Sequence, residues 1–442
     1  ESIEIGGKQY NLYTNIGKNY ITKGYEYQTS FEKEEIPTLK YKISDVEITK
    51  QICMKYGENT VGILYKIKNG KQPTKLTLAP LMNFRDFHSM STNHEFKIRQ
   101  ENKGTKLKVI IDNMIQNPIY IKVSEGIYIP HNNDIFRNMF YIEEQKRGFY
   151  PEENHAVVGR YEIEIKPNEE KEISFVCSLE ENIDELDVKK LIIKEKQRIS
   201  KILEKTEIDF SEKQDKTEDE EKRQELIKNL VISADTFIAY RSSFRLHTII
   251  AGYPWFLDWG RDSLISFEGL LLKNKRYDIA KEVLKTMMRD IKYGLVPNGY
   301  SGFDNRPLYN SVDASLLLFE QIQKYLEYTK DQEFIKEIFE KLEIIIENYK
   351  KGIDIDNNNI YLDTDHLIVS GTENTQNTWM DAKVDGVAVT PRNGKAVEIN
   401  SMWYNSLKIM ENICKELRRK QKSKKICRTS KTNKKFFWRQ IL

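Results

Sequence analysis

The segment "DQEFIKEIFEKLEIIIENYKKG", residues 331–352, has the periodicity of an amphipathic helix. Its apolar residues recur every three or four positions and therefore fall on one stripe of a helical surface. The stripe consists of Phe334, Ile335, Ile338, Phe339, Leu342, Ile345, Ile346 and Tyr349. Gly352 follows as a helix stop. The segment predicts a helix that buries one face against other helices.

The same helical pattern occurs in the neighbouring segments "RYDIAKEVLKTMMRDIKYG" (276–294) and "VDASLLLFEQIQKYLEYTKD" (312–331). The loops between the helices are rich in Gly, Asn, Asp and aromatic residues, which is typical of stacked helical hairpins that carry their chemistry at one end. We assign residues 224–417 to this helical domain.

The N-terminal part of the chain has a period of two instead. In "VGILYKIKNG" (61–70), "TKLKVIID" (105–112) and "EKEISFVCSLE" (170–180), apolar residues alternate with residues of the opposite face. This alternation is typical of half-buried strands. Several such runs, separated by turn signals, predict a β-sandwich-like domain over residues 1–180.

Two further segments fit neither pattern. Residues 181–223 are rich in Lys and Glu, which predicts a charged linker helix and loop. Residues 418–442 form a basic tail with three interpretations. The tail is an arm for a partner, a natural surface helix, or sequence read out of frame at the end of a cut gene.

The composition excludes several classes of protein. With 70 basic and 67 acidic residues the net charge is +3, which argues against a general electrostatic nucleic-acid binder. No apolar run approaches the roughly 18 residues of a membrane span, so we expect no membrane partner. The four cysteines are far apart and the six histidines form no ligand cluster, which predicts a reducing, cytoplasmic location, no metal and no cofactor.

Four loop segments combine aromatic residues with carboxylates, amides or arginine. They are "AGYPWFLDWGRD" (251–262), "LVPNGYSGFDNRPLYNSVDAS" (295–315), "SGTENTQNTWMDAKVDGVAVTPRNGK" (370–395) and "VEINSMWYN" (397–405). Aromatic rings pack against the apolar C–H faces of sugars, and charged groups make the stronger hydrogen bonds to sugar hydroxyls. The four segments therefore predict a carbohydrate site. Phosphate-loop, serine-elbow and zinc-helix motifs are absent from the sequence.

In the first of these segments, Asp258 and Asp262 flank Arg261. Asp262 either caps the following helix or joins Arg261 in binding adjacent sugar hydroxyls, for which a planar guanidinium offers parallel donors. A structural role is also open for the whole segment, with Trp255 and Trp259 as core anchors and Arg261 paired to Asp258.

Asp381 is the best candidate for a general acid. It follows Trp379 and Met380, whose apolar surfaces would help to keep a carboxyl group protonated near neutral pH. A helix cap or a surface position is the alternative. Glycoside hydrolysis normally needs a second carboxylate. The sequence singles out none of the other acids in the four segments, which include Asp304, Asp313, Glu373, Asp385 and Glu398.

At these residues the sequence resembles the amylo-α-1,6-glucosidase domain of glycogen debranching enzymes. The matching motifs are "GYPWFLDWGRDSLIS" (252–266), "YNSVDASL" (309–316), "NTWMDAKVDGVAVTPRNGKAVEINSMWYNSL" (377–407) and, near the N-terminus, "LAPLMNFRDFH" (78–88). The third motif is specific because of its length. The resemblance extends from about Asn11 to about Leu417.

The resemblance implies a β-rich N-terminal domain of the bacterial or archaeal type, followed by an (α/α)6 barrel. It also implies hydrolysis of α-1,6-linked glucose at branch points of glycogen or a branched α-glucan, with inversion. Asp381 would be the general acid, and Trp255, Asp258, Arg261 and Asp262 would line the terminal-glucose pocket. The same motifs supply further candidate substrate-binding residues: Trp259, Asn310, Asp313, Trp379, Lys383, Glu398 and Trp403.

The sequence departs from the family near its end. The family's general base lies C-terminal of the Asn400 region, and residues 224–417 hold about half of the roughly twelve helices that six hairpins need. We therefore expect a partial barrel in a chain cut at both ends, with the general base missing. The alternatives are a non-catalytic glycan-binding remnant and another (α/α)6 glycosidase, such as a glucoamylase.

Overall fold

The computed structural model describes residues 1–442 except 84, 87–88, 93–94, 112–116, 207–216, 254–255, 303, 356 and 442. For residues 132–133 and 436–441 it describes the backbone only. The chain forms two compact units, Glu1–Lys201 and Ile202–Leu442. In the part of the chain that the structure describes, no helix has the length and apolarity needed to cross a membrane.

The first unit consists mainly of antiparallel strands. In chain order they are β1 Ser2–Ile5, β2 Lys8–Asn11, β3 Ile16–Gly17, β4 Tyr20–Ile21, β5 Gln28–Lys33, β6 Pro37–Ile43, β7 Val46–Met54, β8 Thr60–Lys68, β9 Thr74–Leu78, β10 Leu81–Met82, β11 Ile98–Lys103, β12 Lys106–Ile111, β13 Ile119–Val123, β14 Ile127–Phe140, β15 Glu152–Ile165 and β16 Glu170–Ser178. A 3-10 turn, Gly24–Tyr27, precedes β5, and the short helix α1, Ile142–Lys146, precedes β15.

The described strands of this unit form two sheets. One has the order β2-β1-β9-β15-β14-β3-β4 with β10 beside β15, and the other has the order β11-β12-β13-β16-β8-β7-β6-β5. In the first sheet Ile3 pairs with Leu76, which in turn pairs with Ile163. In the second sheet Tyr65 pairs with Ile173. All five side chains belong to one hydrophobic core. The predicted β-rich N-terminal domain is confirmed, and its two sheets enclose that core.

Helix α2, Val188–Lys205, is the helix predicted within the charged segment 181–223. Its residues Val188, Leu191 and Ile192 are buried against Leu64, which points away from the sandwich core. The helix therefore packs on the first unit for most of its length, and the boundary between the two units in the chain falls after Lys201. Its high charge concealed this role because a narrow apolar stripe is enough to pack one helix on a sheet.

The second unit consists of helices joined by long loops and two-stranded ribbons. The helices are α3 Glu218–Thr236, α4 Gly260–Phe267, α5 Tyr277–Arg289, α6 Ala314–Thr329, α7 Gln332–Lys351, α8 Val397–Glu416 and α9 Lys420–Ile441. A π-helical turn, Glu268–Leu272, continues α4. The ribbons pair β17 Ile238–Arg241 with β18 Leu246–Ile249, β19 Gly299–Tyr300 with β20 Pro307–Leu308, β21 Tyr361–Leu362 with β22 Ile368–Val369, and β23 Lys383–Val384 with β24 Val387–Ala388.

Helix α7 is the helix predicted from the 331–352 segment, and the structure confirms it in detail. The Asp331 carboxylate accepts a hydrogen bond from the Phe334 N–H at 3.0 Å and so caps the first turn. Gly352 ends the helix with a φ of 101°. Every residue of the predicted apolar stripe is buried. Helices α5 and α6 likewise lie within the predicted segments and bury their apolar faces in the same core.

Helix α9 occupies most of the basic tail and packs on the preceding helices. Its buried positions Ser423, Ile426, Ser430 and Asn433 recur every three or four residues. Near its start, the Lys422 ammonium pairs with Glu343 of α7 at 2.6 Å. The composition gives little sign of this packing because the buried face contains one apolar side chain and three small or polar ones.

Candidate active site

The site begins where helix α4 starts, and a close backbone contact fixes that start. The Gly260 N–H donates to the Asn298 carbonyl at 2.7 Å. A side chain at Gly260 would bring a Cβ atom within 2.6 Å of the Pro297 carbonyl oxygen, so only glycine fits. The Asn298 side-chain oxygen accepts from the Arg261 N–H at 3.3 Å. These contacts place Arg261 on the first turn of α4.

Arg261 joins residues from three of the four predicted loop segments. Its Nε donates to Asp313 Oδ2 at 2.7 Å, and its Nη1 donates to Asp381 Oδ2 at 3.1 Å. The Arg261 side chain is 10% exposed, that of Asp313 2% and that of Asp381 58%. One guanidinium is thus anchored on a buried carboxylate and holds a second carboxylate at the surface.

The Asp313 carboxylate is available to Arg261 because another residue caps the helix. Asp313 immediately precedes α6 but its side chain makes no capping hydrogen bond. The Ser311 hydroxyl accepts from the Ala314 N–H at 3.1 Å and donates to Asp313 Oδ1 at 2.5 Å. The Val312 N–H donates to the Asn377 carbonyl at 2.9 Å, which brings the segment of Asp381 to the same place.

Asp262 lies beside this centre and does not cap α4, so the capping interpretation is wrong. The residue before the helix is Trp259, and Asp262 sits inside the first turn. Partial desolvation of its carboxyl raises the pKa of Asp262, and the nearby carboxylates of Asp381 and Asp313 add to this effect. The residue as a whole is exposed, so a ligand can reach it.

Asp258 forms a second arginine–carboxylate centre with a residue that the sequence did not indicate. The Arg241 Nε and Nη2 atoms donate to the two Asp258 oxygens at 2.8 and 3.1 Å. The Thr248 hydroxyl also donates to Asp258, at 3.1 Å. The proposed structural pair of Arg261 with Asp258 is therefore wrong. Asp258 is 3% exposed, and its bonds to protein groups leave it little capacity to bind sugar directly.

The remaining candidate residues divide into exposed and buried groups. Trp379 is 53% exposed, Asn310 is exposed beside Asn298, and the exposed Lys383 donates to the Asn374 carbonyl at 2.6 Å. Trp259 is half-buried over Gly299. Trp255 lies outside the described residues.

Two other candidates, Glu398 and Trp403, contact protein groups. Glu398 accepts from the Arg392 Nε at 3.0 Å, and Arg392 Nη2 also contacts it. Trp403 is fully buried and stacks on Tyr349 with ring centroids 5.9 Å apart. Trp403 therefore cannot contact substrate here, which corrects its assignment as a binding residue. Its place on the apolar stripe of α8 was the signal that could have assigned it to the core.

The structure also removes the physical reason first given for the role of Asp381. Trp379 and Met380 were expected to shelter the carboxyl group, but Trp379 is itself 53% exposed. The Asp381 side chain is 58% exposed and meets Arg261 instead of an apolar surface. The Asp381 carboxyl group thus lies open to solvent beside Arg261, and not in an apolar pocket.

A helical domain whose loops gather three carboxylates around one arginine, in a chain with a β-rich N-terminal domain, is the arrangement of a glycoside hydrolase. Comparison with known families agrees with this class. Residues 1–172 match the family model described as "Glycogen debranching enzyme N terminal", and residues 232–440 match the one described as "Amylo-alpha-1,6-glucosidase". The chain belongs to the glycogen debranching enzyme family.

Individual relatives are distant. A glycogen debranching enzyme of Saccharomyces cerevisiae is 26% identical over 204 residues, which cover 34% of this chain and 13% of the yeast protein. Among solved structures, a protein assigned as a kojibiose phosphorylase from the human microbiome superposes with a TM-score of 0.54 at 11% identity, over 99% of this chain and 59% of its own. This likeness is one of fold. A bacterial glucoamylase complexed with acarbose gives a TM-score of 0.47 at 11% identity, over 98% and 60% of the two chains.

Proposed function

We propose that this chain carries the glucosidase site of a debranching enzyme, on a helical unit that forms part of an (α/α)6 barrel. The substrate is glycogen or another branched α-glucan, and the reaction is hydrolysis of α-1,6-linked glucose with inversion. One observation carries the proposal: Arg261 holds Asp313 at 2.7 Å and Asp381 at 3.1 Å. The proposal includes a cytoplasmic location, since the four cysteines are free.

In this proposal Asp381 donates the proton. Its Oδ2 accepts from Arg261, and its Oδ1 has no hydrogen-bond partner among the described residues, so Oδ1 is free to face a glycosidic oxygen. Protonation of that oxygen breaks the bond to the anomeric carbon, and water attacks from the opposite face. Arg261 fixes the orientation of the acid, and the exposed Asp262 binds sugar hydroxyls beside it.

The proposal assigns the general base to none of the described residues. Asp313 and Glu398, which the sequence left open for this role, are each bonded to an arginine. Both oxygens of each carboxylate are bonded to protein groups, Asp313 to Arg261 and Ser311 and Glu398 to Arg392, so neither has an oxygen left to accept the proton of a water molecule. Asp304 and Asp385 are exposed, and no contact connects them to the Arg261 centre in the described part of the chain.

Asp381→Asn tests the role of the acid. We expect glucose release from a branched limit dextrin to fall about 10²- to 10⁴-fold, the usual contribution of general acid catalysis, while the affinity for the dextrin is kept. The matched control is Asp385→Asn, because Asp385 is an exposed aspartate of the same loop, at a φ of 51° that asparagine tolerates. Near-normal glucose release by Asp381→Asn would exclude Asp381 as the acid.

Glycan binding without catalysis is the second candidate function. The exposed rings of Trp379 and Phe256, with 53% and 56% of their surfaces accessible, favour it because both can take a sugar face without a complete catalytic pair. Binding of a branched oligosaccharide with no glucose release would support it. If glucose is released, the relative rates on isomaltosyl and maltosyl ends separate debranching activity from that of a glucoamylase.

A further inference from the structure

The first unit contains a cleft of about 570 Å³ that the proposed function does not use. Its lining comes from Glu1, the loop between β2 and β3, the turn Gly24–Tyr27, strands β5, β6 and β7, and residues of β10, β14 and β15. Its volume is within the range of roughly 300–1,000 Å³ that is usual for small-ligand sites. All of its lining residues belong to the first unit.

Four aromatic side chains line the cleft: Tyr13, Tyr25, Tyr41 and Phe136. Tyr25 is 53% exposed, whereas Tyr41 is 7% exposed and lies deeper. The backbone that carries Tyr25 is firmly held. Its N–H donates to the Thr14 hydroxyl at 3.1 Å, and the neighbouring Gly24 N–H donates to the Tyr13 carbonyl at 3.1 Å. An exposed ring on an anchored turn is a preorganised platform for an apolar face of a ligand.

The polar groups of the cleft suit a neutral ligand. The side-chain amides of Asn15 and Gln28 line it, and neither makes a hydrogen bond to another group that the structure describes. The Lys50 ammonium in the cleft is paired with the Glu1 carboxylate at 2.5 Å. The cleft therefore offers free amide donors and acceptors, which suit the hydroxyl groups of a neutral ligand.

We propose that this cleft is a second glucan-binding site, separate from the centre around Asp381. The ligand class is a short neutral α-glucan chain, with one sugar face on Tyr25 and its hydroxyls on Asn15 and Gln28. The identity of the sugar as glucose rests on the proposed function. The cleft performs no chemistry, and its role is to hold a branch of the polymer on the enzyme.

The test uses the full chain and maltoheptaose as the probe. Tyrosines are replaced by fluorotyrosine, the Tyr25 signal in the fluorine NMR spectrum is assigned with Tyr25→Phe, and affinity is measured by calorimetry. The variants are Tyr25→Ala and Gln28→Ala, both at exposed positions. The matched control is Tyr150→Ala, since Tyr150 is 58% exposed on the same unit and does not line the cleft.

We expect maltoheptaose to shift the Tyr25 signal, and Tyr25→Ala to weaken binding about three- to tenfold at this site while Tyr150→Ala leaves it unchanged. Tyr25→Ala and Gln28→Ala should both release glucose from a short branched oligosaccharide at the rate of the unsubstituted chain. A Tyr25 signal that does not respond, or equal affinities for Tyr25→Ala and Tyr150→Ala, would overturn the inference and leave the result for Asp381→Asn untouched. A responding Tyr25 in a chain that releases no glucose would uphold this site and overturn the proposed hydrolysis.

Discussion

The helical unit contains two arginine–carboxylate centres that differ in exposure. At the first, Arg241 is 17% exposed and Asp258 2%, and both carboxylate oxygens are bonded to the guanidinium. At the second centre, one nitrogen of Arg261 donates to the buried Asp313 and another donates to Asp381, whose side chain is 58% exposed. Both arginines pair with a buried aspartate, but Arg261 also holds a carboxylate that is exposed to solvent.

The surroundings of Arg241 make the first centre a closed structural joint. The guanidinium packs against an aromatic pair, at 4.8 Å from the ring centroid of Phe244 and 5.0 Å from that of Tyr300, and the two rings contact each other edge to face. Its remaining nitrogen, Nη1, donates to the Asn305 side chain at 2.7 Å. Each nitrogen of Arg241 donates to a protein group and an aromatic pair packs against the guanidinium, so Arg241 serves the structure of the helical unit. The comparison teaches that an arginine–aspartate pair marks a possible reactive centre only where one of its carboxylates stays exposed.

The largest expected effect comes from removing each arginine in turn. Arg241→Met and Arg261→Met both leave a buried aspartate without its cation, so each should lower the free energy of unfolding by about 3–5 kcal/mol. Only Arg261→Met should also abolish glucose release per folded molecule, because only Arg261 orients Asp381. Urea unfolding and a glucose assay corrected for the folded fraction measure the two effects.

A second substitution tests why Arg241→Met lowers the free energy of unfolding at the centre formed by Arg241 and Asp258. Adding Asp258→Asn to Arg241→Met removes the uncompensated charge, so part of the lost stability should return. If Arg241→Met also abolishes glucose release per folded molecule, the distinction between closed and open centres fails.

Two tryptophans extend the comparison at a smaller scale. Trp403→Phe should cost about 1–3 kcal/mol of stability, because it leaves space beside Tyr349 in a closely packed core. Trp379→Phe should leave stability unchanged, since Trp379 is 53% exposed, and should weaken binding of a branched oligosaccharide only a few-fold. Urea midpoints and calorimetry measure these effects. If folded Trp403→Phe loses more sugar affinity than Trp379→Phe, the assignment of Trp403 to the core and of Trp379 to the sugar site would be reversed.

Much of the fold could be predicted from the sequence because periodicity reports burial directly. Every residue of the stripe from Phe334 to Tyr349 is buried as predicted, and the alternating runs form strands. The charged segment predicts helix α2 but not the sheet on which its short apolar stripe packs. Local pattern reports which face is buried, but not what lies opposite that face.

For the site, composition indicated loop segments of which three contact each other through Arg261, but it could not determine which arginine pairs with which carboxylate. Asp258 bonds to Arg241, 17 positions earlier, and Arg261 bonds to Asp313 and Asp381, 52 and 120 positions later. Such pairs depend on tertiary packing, and an arginine in a short ribbon carries no local sign of its partner. The same limitation explains Trp403, whose aromatic neighbours in sequence resembled those of a sugar site.

The smallest effect, and the sharpest test of the open centre, concerns Asp262. Its pKa lies above the ordinary value of 3.8 because its carboxyl is partly desolvated and lies near two other carboxylates. A group that holds its proton more tightly in the folded state adds stability that is complete below pH 3.8 and is lost as the pH rises through the folded pKa. Asp262→Asn should therefore raise stability at pH 7.

That gain should be less than about 1 kcal/mol, because Asp262 is exposed and solvent screens its charge. It should vanish when urea unfolding is repeated below the ordinary pKa of aspartate, whereas Asp385→Asn should show no gain at either pH. The same Asp262→Asn variant should bind a branched oligosaccharide more weakly, since it loses a charged acceptor for sugar hydroxyls. A gain in stability together with a loss of affinity is the result expected when a carboxylate is positioned to bind a ligand. A loss of stability at pH 7 would instead make Asp262 part of the closed structure.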